Sequence, residues 1–273
     1  MLNGLCLFSG VGGKSLALQG IVKTVGYCEI DPYCQKVLQK QMQRGKLQKA
    51  KIFTDVRKLS IKDLSSQVDI IYGGFPCQDI SSMGLQKGLE GERSGLVKEV
   101  FRLTKECKPT YVFLENVSAI IDNGLEEILR EFTKLGYDCR WKVISASMFG
   151  APHERKRFFI LCERQDIRTQ VTKRSDTKVS ETTGDRRLHN QTVADSPSRK
   201  HVVCKGFDRA YNARLTNPRS VFTTKLPAEW RSEPTVGRVV NGIPNRIHRC
   251  AALGNAVVPI CVRYAFLSLL FGI

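Results

Sequence analysis

Leu2-Asn-Gly-Leu-Cys-Leu-Phe-Ser-Gly-Val-Gly-Gly-Lys-Ser-Leu-Ala-Leu18 opens the chain. Residues 2 to 8 form a short, mostly apolar run that reads as a buried strand. Gly10, Gly12 and Gly13 break it, and a helical pattern resumes at Ser15. Strand, tight turn and helix make up the unit that builds parallel α/β sheets. A glycine turn at that place lets a ligand approach the backbone, and the helix behind it offers free N–H groups. Many cofactor folds share this pattern, and a plain tight turn satisfies it too. Lys14 does not have the spacing of a phosphate-binding P-loop, which argues against NTP hydrolysis.

Working outward, the unit repeats. A strand is predicted from Thr24 to Ile30, and Asp31-Pro32 then opens a helix with Tyr33, Val37 and Leu38 on one face. Asp31 suits the N-cap, which leaves Glu29 as the acid able to accept from ribose hydroxyls. Asp55 follows a third short apolar stretch and could accept from an adenine amino group. Further strands are expected at Val68–Tyr72, Tyr111–Leu114, Trp141–Ala146 and Arg157–Cys162, the last two close enough to form a hairpin. Helices are expected at Leu96–Cys107 and Leu125–Leu135. Strands alternating with helices predict an α/β fold with a doubly wound, mostly parallel sheet. Such sheets bind ligands at the carboxyl ends of their strands, which is where the candidate residues fall.

The chain has 273 residues, 42% of them hydrophobic, enough for one large α/β domain and a smaller appendage. Its net charge of +17 points to a polyanionic partner, nucleic acid first. From Arg164 to Arg249 there are 18 Lys/Arg against 8 Asp/Glu, with poor periodicity as far as about Lys205. The ten cysteines form no CxxC pair and no zinc-spaced cluster, so no metal site is expected. Reduced thiols in a cytoplasm are expected, with Cys6, Cys139 and Cys162 as small core residues. No signal peptide is expected, and the apolar tail after Asn255 reads as a docking helix rather than a membrane span.

Three further segments carry chemistry. Gly74-Phe-Pro-Cys-Gln-Asp-Ile-Ser81 places Cys77 in a Pro-initiated loop at the mouth of a strand, where a catalytic thiolate needs partial exposure and positive neighbours. Glu115-Asn-Val117 places a carboxylate directly after Val, Phe and Leu, half desolvated, which makes it a candidate acid. It could equally be a cap. His153-Glu-Arg-Lys-Arg157 leads into a strand. If extended, it would project Arg155 and Arg157 to one side, toward a phosphate or a substrate carbonyl. A solvated basic edge is the plainer reading.

Taken in order, Phe8-Ser-Gly-Val-Gly-Gly13, Pro76-Cys-Gln-Asp-Ile-Ser81, Glu115-Asn-Val117, Arg155-Lys-Arg157 and Gly254-Asn-Ala-Val-Val-Pro259 resemble the signature blocks of the cytosine-C5 DNA methyltransferases. The compact tail from Glu233-Pro234 to Arg249 is similar to phage and prophage members. The resemblance covers nearly the whole chain outside about Glu163 to Pro234. It implies the seven-stranded fold of the S-adenosyl-L-methionine-dependent methyltransferases, with a small irregular target-recognition domain. The implied division is 1–162 catalytic, 163–236 target recognition, and 237–273 packing back on the catalytic part.

The resemblance implies that Cys77 is the nucleophile, with Glu115, Arg155 and Arg157 completing the catalytic set. Phe8, Gly10, Gly13, Glu29, Ile30, Asp55, Val56, Pro76, Leu96, Asn255 and Val257 would hold the cofactor. Ser81 to Gly95, with four glycines, would be a closing lid. Double-stranded DNA is the implied partner of a monomer, with a cognate restriction endonuclease as a further one. Two departures stand out: Leu5-Cys6-Leu7 lacks the acid usual at the end of the first strand, and His153-Glu154 replaces the usual Gln and basic residue. The alternatives are an RNA cytosine methyltransferase and a DNA-binding regulator without turnover. The first lacks its Cys-Phe-Thr segment here, and the second usually loses Cys77 or Glu115.

Overall fold

The computed structural model describes residues 1–76, 96–166 and 246–272. Cys77, the expected lid and nearly all of the expected target-recognition region lie outside these residues. Seven strands form one sheet: β1 (Leu2–Leu7), β2 (Val22–Cys28), β3 (Lys51–Phe53), β4 (Ile70–Gly73), β5 (Tyr111–Val117), β6 (Tyr137–Ile144) and β7 (Arg157–Arg164). Their order is β3-β2-β1-β4-β5-β7-β6. β7 runs antiparallel to both neighbours, and the other adjacent pairs are parallel. The doubly wound, mostly parallel sheet expected from the sequence is the one observed.

Helices cover both faces, and each face has its own core. On one side lie α1 (Gly13–Ala17), α2 (Pro32–Gln43) and the last helix of the chain, packed on Cys6, Tyr72, Phe113 and Phe159. On the other lie α3 (Leu96–Cys107), α4 (Ile120–Asn123) and α5 (Leu125–Lys134), packed on Leu5, Ile71, Val112 and Ile160. The alternation along β1 and β5 explains the division, since successive side chains point to opposite faces. A strand buried on both faces must be apolar at every position, as Leu5-Cys6-Leu7 and Tyr111–Leu114 are.

Two strands are longer than their apolar runs. β5 continues through Glu115, Asn116 and Val117, because β7 supplies ladder partners there: Glu115 faces Phe159 and Val117 faces Arg157. β6 starts at Tyr137 and ends at Ile144, whereas the sequence suggested Trp141 to Ala146. The β6–β7 hairpin forms as expected.

The chain ends in α6 (Arg246–Gly254) and α7 (Pro259–Phe271). The stretch Ala251–Phe271 has the length and mean hydropathy, 1.6, of a membrane span. Residues 255–258 are not helical, however, and α7 is buried along Cys261, Val262 and Ala265–Leu270. Arg263 also donates to the carbonyls of Ala17 (3.0 Å) and Gln19 (2.9 Å), tying α7 to the end of α1. This is the docking helix expected of the apolar tail. Phe266 is its fully buried centre, edge-on to Phe113 with ring centroids 5.2 Å apart. Phe266→Ala should lower unfolding free energy by about 3–5 kcal/mol in urea titration, the usual cost of removing a buried aromatic ring.

Candidate active site

Register places the site. Leu7 pairs with both Cys28 and Gly73, Gly73 pairs with Leu114, and Cys28 pairs with Phe53. The residues that follow these pairs, Phe8, Glu29, Gly74 and Glu115, therefore emerge side by side at the carboxyl edge of the sheet. The topological switch between β1 and β4 lies there too, where open α/β sheets bind ligands. A cleft of about 640 Å³ opens at this edge.

The first wall of the cleft is the glycine turn. Phe8 and Gly10 have φ values of 50° and 55°, and Gly12 has 89°. At Gly12 a side chain would be strained, and its Cβ would come within 2.5 Å of Leu47 Cδ1. The turn is braced by Glu29. One carboxylate oxygen accepts from the Gly10 N–H at 2.6 Å, and the other accepts from the Asp31 N–H at 2.9 Å. Asp31 caps α2 by accepting from the N–H groups of Tyr33 (2.7 Å) and Cys34 (2.9 Å), as its place before Pro32 predicts.

The second wall follows β3. Asp55 accepts from the Arg57 backbone N–H at 3.0 Å and pairs with the Arg57 guanidinium at 2.9 Å. That side-chain hydrogen bond holds the Asp55 carboxyl below its ordinary value. Glu29 and Asp55 bring two carboxylates to one end of the cleft. Ile30, Val56, Pro76 and Leu96 line it as well, and Asn255 and Val257 reach it from the C-terminal segment. All eleven residues expected at a cofactor site thus border one cavity with Glu115 and Arg157.

The far end of the cleft is cationic. Glu115, 9% exposed, pairs through one oxygen with Lys14 Nζ at 3.2 Å and through the other with Arg157 Nε at 3.3 Å. Asn116 is buried and donates to the Phe75 carbonyl at 3.1 Å, fixing the backbone two residues before Cys77. Arg155 goes elsewhere. It has φ of 37°, not the extended conformation needed to align it with Arg157, and it donates to the carbonyls of Gly254 (2.7 Å) and Ala256. Burial and the neighbouring Arg157 together pull its guanidinium below the ordinary arginine value. The expectation that Arg155 and Arg157 share a side is therefore corrected: one ties down the C-terminal segment, and the other faces Glu115.

Lys14 was not expected here. In the sequence it is a lysine out of register with a P-loop. The remaining signal is a long cation inside a mostly apolar strand–turn–helix unit.

A three-layer α/β molecule with a glycine turn, two acids and a cation-paired carboxylate at the sheet's carboxyl edge has the architecture of a Rossmann-like methyltransferase. Residues 2–245 match the model of the C-5 cytosine-specific DNA methylases, and the chain belongs to that family. It is 38% identical over 161 residues to type II methyltransferase M.CviJI of Paramecium bursaria Chlorella virus IL3A, covering 59% of this chain and 42% of that protein. It is 38% identical over 169 residues to type II methyltransferase M.HhaI of Haemophilus parahaemolyticus, covering 60% and 50%. Among solved structures, a DNA modification methyltransferase encoded within an E. coli prophage aligns with a TM-score of 0.50 and 26% identity, covering 62% of this chain and 48% of that one. The chain thus spans half or less of the length of these relatives.

Six of the described cysteines are buried, and burial disfavours their thiolates. Burial pushes the thiols of Cys34, Cys107 and Cys261 up to about 11 and that of Cys28 to about 12, and it raises those of Cys6 and Cys162 as well. A raised thiol stays protonated at neutral pH and forms thiolate only as pH climbs through the raised value. Iodoacetamide at pH 8 followed by peptide mass mapping should leave these six cysteines unmodified in the native protein, and labelling should appear only on denaturation.

Proposed function

We propose that the chain acts as a DNA cytosine-C5 methyltransferase, moving a methyl group from S-adenosyl-L-methionine to a flipped cytosine in duplex DNA. One observation carries this reading. Glu115 and Arg157 form an ion pair in the same cleft as the glycine turn and the two acids, one residue group suited to a base and the other to a nucleoside cofactor.

The cofactor end fits the chemistry of its ligand. Glu29 and Asp55 would repel a phosphate but suit the hydroxyl and amino donors of an adenosine, and a cationic sulfonium is favoured near carboxylates. Glu29 would hold the ribose hydroxyls and Asp55 the adenine amino group, with Phe8 beside the ring. Gly10 and Gly13, together with the walls formed by Ile30, Val56, Pro76, Leu96, Asn255 and Val257, would enclose the rest. When bound, S-adenosylmethionine supplies an electrophilic methyl group.

The base end accounts for the remaining residues. C5 of cytosine is a weak carbon nucleophile until a thiolate adds at C6. In this reading the Cys77 sulfur forms a bond to C6, and the displaced ring electrons make C5 nucleophilic. As Cys77 adds, N3 takes up a proton from solvent, and Glu115 accepts from the amino group and from that N3–H, offsetting charge in the adduct; N3 gives the proton back when Cys77 leaves. Arg157 holds the base carbonyl. After methyl transfer a base removes the C5 proton, the C6–S bond breaks, and Cys77 leaves as thiolate. The target carbon is reached only by extruding the base from the duplex. The excess of basic residues would supply phosphate contacts, so affinity for DNA should fall steeply with salt.

The test is bisulfite sequencing of plasmid from a methylation-free host expressing the wild type, Cys77→Ala or Glu115→Gln. Wild type should protect cytosines in one sequence context. Cys77→Ala should protect none, and Glu115→Gln should lower the rate by about 10²–10³-fold, as loss of one preorganised charge-stabilising group does. Soluble, folded wild type that protects no cytosine would overturn the reading.

A further inference from the structure

Lys14 has no part in the chemistry described so far, yet it is 7% exposed and its ammonium pairs with Glu115. A lysine is seldom buried without a function or a partner, because desolvating its charge is costly. Among the described residues Glu115 is its only ion-pair partner. The pair crosses under Gly74, where an added Cβ would lie 2.5 Å from Glu115 Oε2 and 2.7 Å from Lys14 Nζ. The missing side chain at Gly74 is thus the space in which the two charges meet. Gly74 is also three residues before Cys77.

Resting on the proposed methyl transfer, we infer that Lys14 is a positioning residue for Glu115: it reserves one carboxylate oxygen so that Arg157 cannot take both. An arginine facing a free carboxylate prefers two parallel hydrogen bonds. Here the ion pair of Arg157 with Glu115 is made through Nε at 3.3 Å, while its Nη1 donates to the Lys156 carbonyl at 2.9 Å. Lys14 takes the second oxygen from the opposite side. The carboxylate is then held in one plane, facing the place where a base edge would enter. Without Lys14, Glu115 would turn onto the guanidinium in a fork-to-fork pair. Both groups would then be drawn away from the base, Glu115 from N3 and the amino group, Arg157 from the carbonyl. Lys14 stands on α1, directly after the glycine turn, so the same short element that shapes the cofactor end also fixes the acid at the base end.

The test uses full-length protein, plasmid DNA and radiolabelled S-adenosylmethionine, with kcat and both KM values measured for wild type, Lys14→Met, Lys14→Arg and Gly74→Ala. In Lys14→Met, kcat should fall by ~10²-fold, the size of effect that a misplacement of about 1 Å produces. KM for the cofactor should stay within about twofold, since binding there does not use Glu115. Lys14→Arg should recover part of the loss. Gly74→Ala keeps both charges but separates them; it should reproduce the kcat loss, and it tests the idea independently if Lys14→Met is unstable. Wild-type kcat in Lys14→Met, or a loss confined to cofactor KM, would overturn the assignment and leave methyl transfer standing. A wild type that neither methylates the plasmid nor forms a covalent adduct with 5-fluorocytosine DNA would overturn both.

Discussion

A carboxylate can be buried in the wall of a cleft only if something compensates it, and at Glu115 the compensation comes from two distant parts of the chain. Lys14 arrives from the first helix and Arg157 from the start of the seventh strand. A single cation would leave one oxygen unmatched in a poorly hydrated place, at a cost of the order of 1–3 kcal/mol or more for a charged group. Two cations on opposite oxygens satisfy it and also fix its plane. The arrangement constrains the sheet. Leu7 of β1 and Leu114 of β5 must stand level across Gly73 of β4, and β7 must run antiparallel so that its first residue, not its last, stands beside the end of β5. The topology and the charge cluster are therefore one requirement seen at two scales.

The other end of the chain is bound into the same edge by backbone carbonyls. Arg155 donates to Gly254 and Ala256, either side of Asn255, and Arg263 donates to Ala17 and Gln19 behind the glycine turn. Val257 then lies against Gly13, where a Cβ would be 3.0 Å from Val257 Cγ2. A segment more than 230 residues distant in sequence thus completes the wall begun by residues 8 to 13. Loss of α7 packing would be felt at the cleft as well as in the core. This coupling explains why an apolar, membrane-like composition is needed at the C-terminus: α7 fills the sheet face left open beside α1 and α2, and a helix surrounded by core on most sides must be apolar all round.

Much of this was legible in the sequence, for reasons that are local. The α3 boundaries, Leu96 and Cys107, follow from apolar spacing alone, and Asp31 before Pro32 announces its cap. The acids after β2 and β3 could be placed because a parallel sheet puts the residue after each strand at one edge. What could not be read depended on pairing across the sheet. β5 seemed to stop at Leu114 because polar residues follow, but those polar residues continue the strand, since β7 lies beside them. The insertion of β7 between β5 and β6 joins residues 40 to 52 positions apart, and no local pattern encodes it. Arg155 failed for a sharper reason: alternation assumes an extended backbone, and its φ of 37° breaks the alternation one turn before the strand begins. Lys14 was missed because a lysine in a turn is ordinarily solvated, and only the three-dimensional approach of Glu115 beneath Gly74 shows that this one is not.

The chemistry proposed for Cys77 also sets a condition that six of the described cysteines meet. A protein with ten cysteines that uses one as a thiolate must keep the others from competing for electrophiles and oxidants. Burial achieves this for the six whose thiols are raised, because desolvation penalises thiolate wherever no cation compensates it. Two cationic groups of the cleft, Lys14 and Arg157, are gathered instead around Glu115. Desolvation silences buried thiols on strands (Cys6, Cys28, Cys162) and helices (Cys34, Cys107, Cys261) alike, so the same burial that gives the fold its stability also sets which of these thiols stay protonated.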